Sequence, residues 1–219
     1  MASPVSQIRS AVGILAYGSL IADPGAEIDP LIVDRIETRT PFPVEYARFS
    51  ATRGGAPTVV RHSMGRPVKA YVLVLAKAES PSGALRLCEA RDLLWHRETR
   101  NEGTGKYRES GDKNAVLVRD LPGFCDLAHV LYTDFNPEGK IADPDPKSLA
   151  RAAIESVGRA PLGKDGISYL IALLKSGVET ELTARYVAEI QSQTGTYDLA
   201  CALRQLKTSK REGMRNSQS

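Results

Sequence analysis

Apolar residues along the first third of the chain come in short, dense, β-branched runs bounded by turn residues, which is the pattern of buried strands. Val12–Tyr17 is the first of these. It feeds Gly18-Ser19-Leu20 and then the turn signal Asp23-Pro24-Gly25. Residues 32–38 and 44–52 continue the pattern, and Val68–Leu75 (VKAYVLVL) is the strongest strand expected anywhere in the chain. The period then changes. Ser80-Pro81 supplies a cap and a first-turn proline, predicting a helix from Ser80 to about Arg100.

On a helical wheel with Glu98 at zero, Ala84, Leu87, Leu94 and Trp95 fall within about 60°, with Cys88 and Ala90 within about 80°. That puts a carboxylate in the middle of an apolar stripe. Glu89, Asp92 and His96 fall on the opposite side, expected to face water, while Arg91 shares the stripe with Glu98. A polar, Gly-rich loop over 101–111 precedes two more expected strands, 115–118 and 128–132. From Lys147 onward the helical period returns over 147–157, 166–176, 180–193 and 198–206, with a disordered basic tail expected over 208–219. Strands first and helices afterwards predict an α+β fold, in a single domain spanning 1–207 whose helical C-terminal extension is 147–207.

Composition narrows the function classes. With 42% hydrophobic and 25% charged residues, the 219-residue chain is that of a folded globular protein. At 6% aromatic and one Trp, it is poorly equipped to stack nucleobases, so no nucleic-acid partner is expected. The net charge of +3 is matched by the C-terminal stretch alone, where Lys207, Lys210, Arg211 and Arg215 face only Glu212. Cys88, Cys125 and Cys201 are odd in number and lack metal-ligand spacing, which predicts reduced thiols and a cytoplasmic address, with Cys88 a small core hydrophobe. The apolar run over 11–22 behind Arg9 is broken by Tyr17-Gly18-Ser19 and reads as a strand rather than a secretory signal. No stretch approaches the roughly 20 apolar residues a membrane span requires.

Most catalytic signatures fail. Gly103-Thr104-Gly105-Lys106 resembles the end of a phosphate loop, but Arg100 stands where its first glycine belongs and Tyr107 replaces the magnesium-binding hydroxyl. There is no GxSxG elbow, and His62, His96 and His129 have no zinc spacing. Two features remain. A carboxylate on an apolar face must pair, take a proton or open into a cavity, and burial raises a carboxyl toward the range of a general base. Glu98 therefore reads either as an acid/base or as the ion-pair partner of Arg91 or Arg97. Secondly, successive backbone N–H groups at Tyr17-Gly18-Ser19-Leu20 can form a nest for a carboxylate or oxyanion, although an ordinary strand end has the same sequence.

Taken in order, these features resemble a family. ILAYGSLIADPG over 14–25 resembles the opening of the ChaC-like branch of the gamma-glutamylcyclotransferase family. YARFSATRGGAP over 46–57 is similar to that family's next strand and Arg-Gly turn, and residues 65–75 to its central strand. Arg97-Glu98 followed by Gly105 and Tyr107 is similar to its catalytic segment, and GRAPLGKDGISYLIALL over 158–174 to its helical extension. The resemblance implies a small mixed-strand β-barrel flanked by helices. It implies a lyase that cyclises a gamma-glutamyl amide to 5-oxoproline with no metal and no cofactor, as in glutathione degradation. Glu98 would be catalytic, and Tyr17, Gly18, Ser19, Leu20, Arg53 and Tyr107 would bind substrate. Departures at Ala22, Thr52 and Lys106 bear on which gamma-glutamyl amide is taken. The alternatives are a cyclotransferase for another gamma-glutamyl amine and a non-catalytic small-molecule-binding module on the same fold.

Overall fold

The computed structural model describes residues 11–76, 85–100 and 105–216. The fold is α+β, as the order of patterns predicts. The chain forms two compact units: one comprises Met1–Pro41 with Lys69–Gly139, the other Phe42–Val68 with Lys140–Ser219. The division therefore does not fall at residue 147, because a segment from the strand-rich third belongs with the helices.

Among the described residues, the first unit has a five-stranded sheet and one α-helix. Its strands are β1 (Val12–Ala16), β2 (Ile32–Arg39), β5 (Lys69–Leu75), β6 (Val116–Pro122) and β7 (His129–Phe135), in the order β2-β5-β1-β7-β6. Only β1 and β7 are parallel; Ile14 lies between Leu73 on one side and Leu131 on the other. All five residues of β1 are buried, consistent with its uninterrupted apolar run at the sheet centre. Gly13 is needed for contact: a Cβ there would lie 2.5 Å from Val72 Cγ1 and 2.9 Å from Leu127 Cδ1. Helix α1 (Leu87–Thr99) packs on β6 and β7 and buries Ala90 and Leu94 in a core with Ile14, Leu20, Ile28, Leu73 and Leu131.

Helix α1 corrects two expectations. Arg86 has extended backbone, so the helix begins at Leu87; the expected Ser80-Pro81 start lies outside the described residues. Cys88 thus falls in the first turn and is exposed rather than core. His96, expected to be wet, is buried because loop segments cover that side of the helix.

In the second unit, β3 (Val44–Ser50) and β4 (Ala56–Arg61) form a hairpin through Gly54 and Gly55, both at positive φ. The hydrophobic pattern does not predict strand β4. The helices are α2 (Pro146–Arg159), α3 (Gly166–Lys175), α4 (Thr183–Thr194) and α5 (Leu199–Asn216). Asp145 and Asp165 cap α2 and α3 by accepting the N–H of Ser148 and Ser168, each at 2.8 Å. Helix α5 runs to Asn216, through most of the segment expected to be a disordered tail. Glu45 on β3 is fully buried; its carboxylate accepts from Tyr46 N at 2.8 Å, Thr180 Oγ1 at 2.5 Å and Leu182 N at 3.1 Å, tying the hairpin to the approach to α4. Tyr46 and Tyr186 stack edge-on beside it, 5.0 Å apart, and burial pushes both phenols up and keeps them neutral.

The strands occupy an open five-stranded sheet and a two-stranded one, and no closed barrel forms among the described residues. No described helix is long and apolar enough to cross a membrane.

Candidate functional site

Strand β1 delivers the chain to the end of the sheet beside the C-terminal turn of α1. Tyr17 is buried there and its hydroxyl donates to Thr133 O at 2.8 Å, fastening the end of β1 to its parallel neighbour. After Gly18 the backbone winds into one 3₁₀ turn, Ser19–Ile21. Ile21 N–H donates to Gly18 O at 3.2 Å and Asp23 N–H to Ser19 O at 2.9 Å, so the N–H groups of Ser19 and Leu20 precede the first hydrogen-bonded donor of the turn. Gly18 sits at φ −133° and ψ −135°, in neither the helical nor the β region. The Leu20 side chain points into the core, leaving only its backbone for a ligand.

Arg97 joins this turn to the helix. Its Nη2 donates to Asp23 O at 2.7 Å and reaches Ser19 Oγ at 3.5 Å, while Nε donates to Asp23 O at 3.3 Å. The Asp23 carboxylate is 3.6 Å from Nη2, and Glu98 Oε1 is 3.9 Å from Nη1. The guanidinium is 15% exposed and Glu98 22%, so both groups are half sheltered and neither is sealed from solvent. Gly25 makes room for this arrangement: it has φ +95°, and a Cβ would sit 2.7 Å from Arg97 Cδ.

Of the expected residues, Arg53 belongs to the second unit and the others to the first. Ser19, Arg97 and Glu98 come together, with Tyr17, Gly18 and Leu20 carried along by the strand and turn. Tyr107 belongs to the same unit, but its hydroxyl accepts the Val118 N–H at 3.1 Å and its own N–H donates to Asp92 at 2.7 Å, which gives it an anchoring role toward β6 and α1. Arg53 belongs to the second unit, where its guanidinium lies 4.7 Å over the Tyr169 ring and donates to Lys164 O at 3.3 Å. Arg91, one of the expected partners of Glu98, stands 3.9 Å from Asp120, which in turn is 2.7 Å from His129 Nδ1.

Sequence reasoning missed Arg97 as the centre of the site. The available signal was the Asp23-Pro24-Gly25 turn, whose carbonyl needs a donor, together with a cation adjacent to Glu98. Chemically, the group offers a carboxylate able to exchange protons, a cation able to hold an anion, and backbone donors at the turn. Among the described residues, no group of three or more His, Cys, Asp or Glu side chains is arranged to hold a metal ion. No protein-family model matches the chain, and no curated protein matches it.

Proposed function

We propose that the chain is a gamma-glutamylcyclotransferase of the ChaC-like type, a cofactor-independent carbon–nitrogen lyase acting on a gamma-glutamyl amide. Glutathione is one candidate substrate. The observation that carries the reading is the Arg97 bridge: one guanidinium touches the Ser19 turn and stands 3.9 Å from Glu98, so the two segments with family resemblance meet in one half-sheltered place. The small barrel implied by the resemblance belongs to this proposal and rests on that resemblance; the α+β composition supports it only at the level of class.

In this mechanism Glu98 takes a proton from the substrate's α-ammonium group. The freed amine attacks the γ-carbonyl carbon, forming the ring C–N bond, and the oxyanion is met by turn N–H groups. Collapse breaks the bond to the leaving nitrogen, which receives its proton from Glu98. The α-nitrogen loses two protons in all and the leaving nitrogen gains two, so 5-oxoproline and an ammonium product form with no net proton change. Because nucleophile and electrophile share one molecule, effective molarities on the order of 10⁵ M or more are accessible once the substrate is held folded. A site with few catalytic groups is sufficient for that task. Incubating the protein with glutathione and a panel of gamma-glutamyl amines, and following 5-oxoproline by mass spectrometry, tests the proposal. Binding without turnover would favour the small-molecule-binding module.

A further inference from the structure

His96 lies between two loops at the end of α1 that bears Arg97 and Glu98. It is 7% exposed. Its Nε2 is 3.0 Å from Gly105 O, and a carbonyl oxygen only accepts, so Nε2 carries a proton. The other ring nitrogen, Nδ1, is shielded from solvent and has no hydrogen-bond partner among the described residues; Glu27 Oε2 stands 3.6 Å from it, beyond a hydrogen bond and within ion-pair range. With Nε2 protonated, a neutral ring presents the Nδ1 lone pair to a carboxylate. Only the imidazolium gives both nitrogens a suitable neighbour.

We infer that His96 is a proton-dependent positioning residue: as an imidazolium it clamps Glu27 on one side and Gly105 on the other, and loss of the Nδ1 proton releases the Glu27 side. The consequence for the site passes through Gly25, which heads the turn containing Glu27 and packs against the Arg97 side chain. Releasing the turn loosens the cradle of Arg97 and with it the placement of Glu98. The link to catalysis rests on the function proposed above, whereas the clamp itself does not.

Among the described residues, the other charged groups on the turn, on α1 and beside Gly105 are engaged elsewhere or exposed. On the turn, the Asp23 carboxylate stands beside Arg97 and Asp29 pairs with Arg35 at 3.7 Å. On α1, Asp92 accepts the Tyr107 N–H, Arg97 is held by Asp23, and Arg100 is exposed. Lys106, beside Gly105, is exposed, and the Trp95 ring lies 5.5 Å from the imidazole. Among the described residues, Glu27 is therefore the group placed to respond to the charge on Nδ1.

The test reads structure rather than turnover. Hydrogen exchange is followed at the amides of Ile28 and Asp29, which donate to Gly25 O, and of Tyr107, which donates to Asp92, from about pH 5 to about pH 8. Rates are corrected for intrinsic exchange and referenced to Ile14 and Leu73 in the sheet. Imidazole ¹⁵N spectra, assigned with His96→Gln, report which ring nitrogens carry protons.

In the native protein both nitrogens are protonated at the acid end, and protection at Ile28 and Asp29 falls about two- to fivefold as Nδ1 loses its proton, the size expected for losing a partly exposed ion pair. In Glu27→Gln the side-chain amide donates to a neutral Nδ1, so the pH dependence disappears; this half-exposed position keeps the test usable if His96→Gln fails to fold. A neutral His96 at about pH 5, protection that does not vary with pH, or an unchanged pH dependence in Glu27→Gln would each overturn the inference. If the clamp is found in a protein that makes no 5-oxoproline, the functional proposal fails and the clamp stands.

Discussion

Arg97 and Asp23 are joined twice: Nη2 and Nε of the guanidinium both donate to the Asp23 carbonyl, at 2.7 and 3.3 Å. A fork of this kind fixes the side chain in position and direction, which a lysine cannot do with a single ammonium. It also sets where the rest of the guanidinium points: Nη2 reaches Ser19 Oγ as well, and the remaining nitrogen, Nη1, faces Glu98.

Arg97→Ala is expected to destabilise the protein by about 1.5–3 kcal/mol, the range for hydrogen bonds to charged groups. If Arg97 also places Glu98, cyclisation falls by about a hundredfold in protein that remains folded. Arg97→Lys should recover stability better than activity. Urea titration paired with steady-state rates separates the two effects, and equal recovery of both would assign Arg97 to stability alone.

Gly25→Ala tests the same arrangement from the other side. An alanine at φ +95° is strained, and its Cβ meets Arg97 Cδ at 2.7 Å. The expected loss is about 2 kcal/mol, of the order of a residue forced into left-handed backbone, read as a lower melting temperature. Gly55→Ala, at φ +83° with nothing within 4 Å of the added Cβ, should lose only the backbone part. Comparable losses at the two positions would show that the contact with Arg97 adds nothing to the cost at Gly25.

Much of this fold is legible in the sequence because burial dominates it. Strands β1 and β5 are continuous apolar runs rich in β-branched residues, and both appear within a residue of where the pattern puts them. Strand β4 was missed because Ala56-Pro57 follows two glycines and reads as turn, while its strand character comes from pairing with β3 rather than from local preference. The wheel failed at His96 for a related reason. It sorts residues into core and solvent faces, but α1 is also covered by loop residues Glu27 and Gly105, which a helical period cannot anticipate. Ser19 and Glu98 were legible as types of residue with useful chemistry. Arg97 was not, because its role depends on a carbonyl 74 residues away.

The buried Glu45 gives a prediction for the second unit. Glu45→Leu leaves the Tyr46 N–H, the Thr180 hydroxyl and the Leu182 N–H without their acceptor, at a cost of at least about 3 kcal/mol. Glu45→Gln retains one oxygen and turns an amide donor toward another, costing about 1–2 kcal/mol. Chemical denaturation of both variants checks the order. A Leu variant as stable as the Gln variant would show that these three donors find other acceptors.

Asp145 provides a pH signature. Its backbone hydrogen bond from Ser148, followed by the Ser148 side chain, holds its carboxyl below the ordinary value of 3.8. A folded-state value below the unfolded one means that the cap's contribution is fully present above the unfolded value and is lost as pH falls through the folded one. The stability difference between the native protein and Asp145→Ala should be constant at neutral pH and shrink in acid below that range. A difference that grows on acidification would contradict this sign.

The most direct test of the account is 5-oxoproline release from a gamma-glutamyl amide by the native protein and by Glu98→Gln, with folding of both verified by circular dichroism. Release is expected from the native protein and a loss of about 10²-fold or more in the folded variant, because glutamine keeps the size and hydrogen bonding of Glu98 but cannot carry a proton. Near-native turnover in Glu98→Gln, or no release by the native protein from any gamma-glutamyl amide supplied, would contradict it.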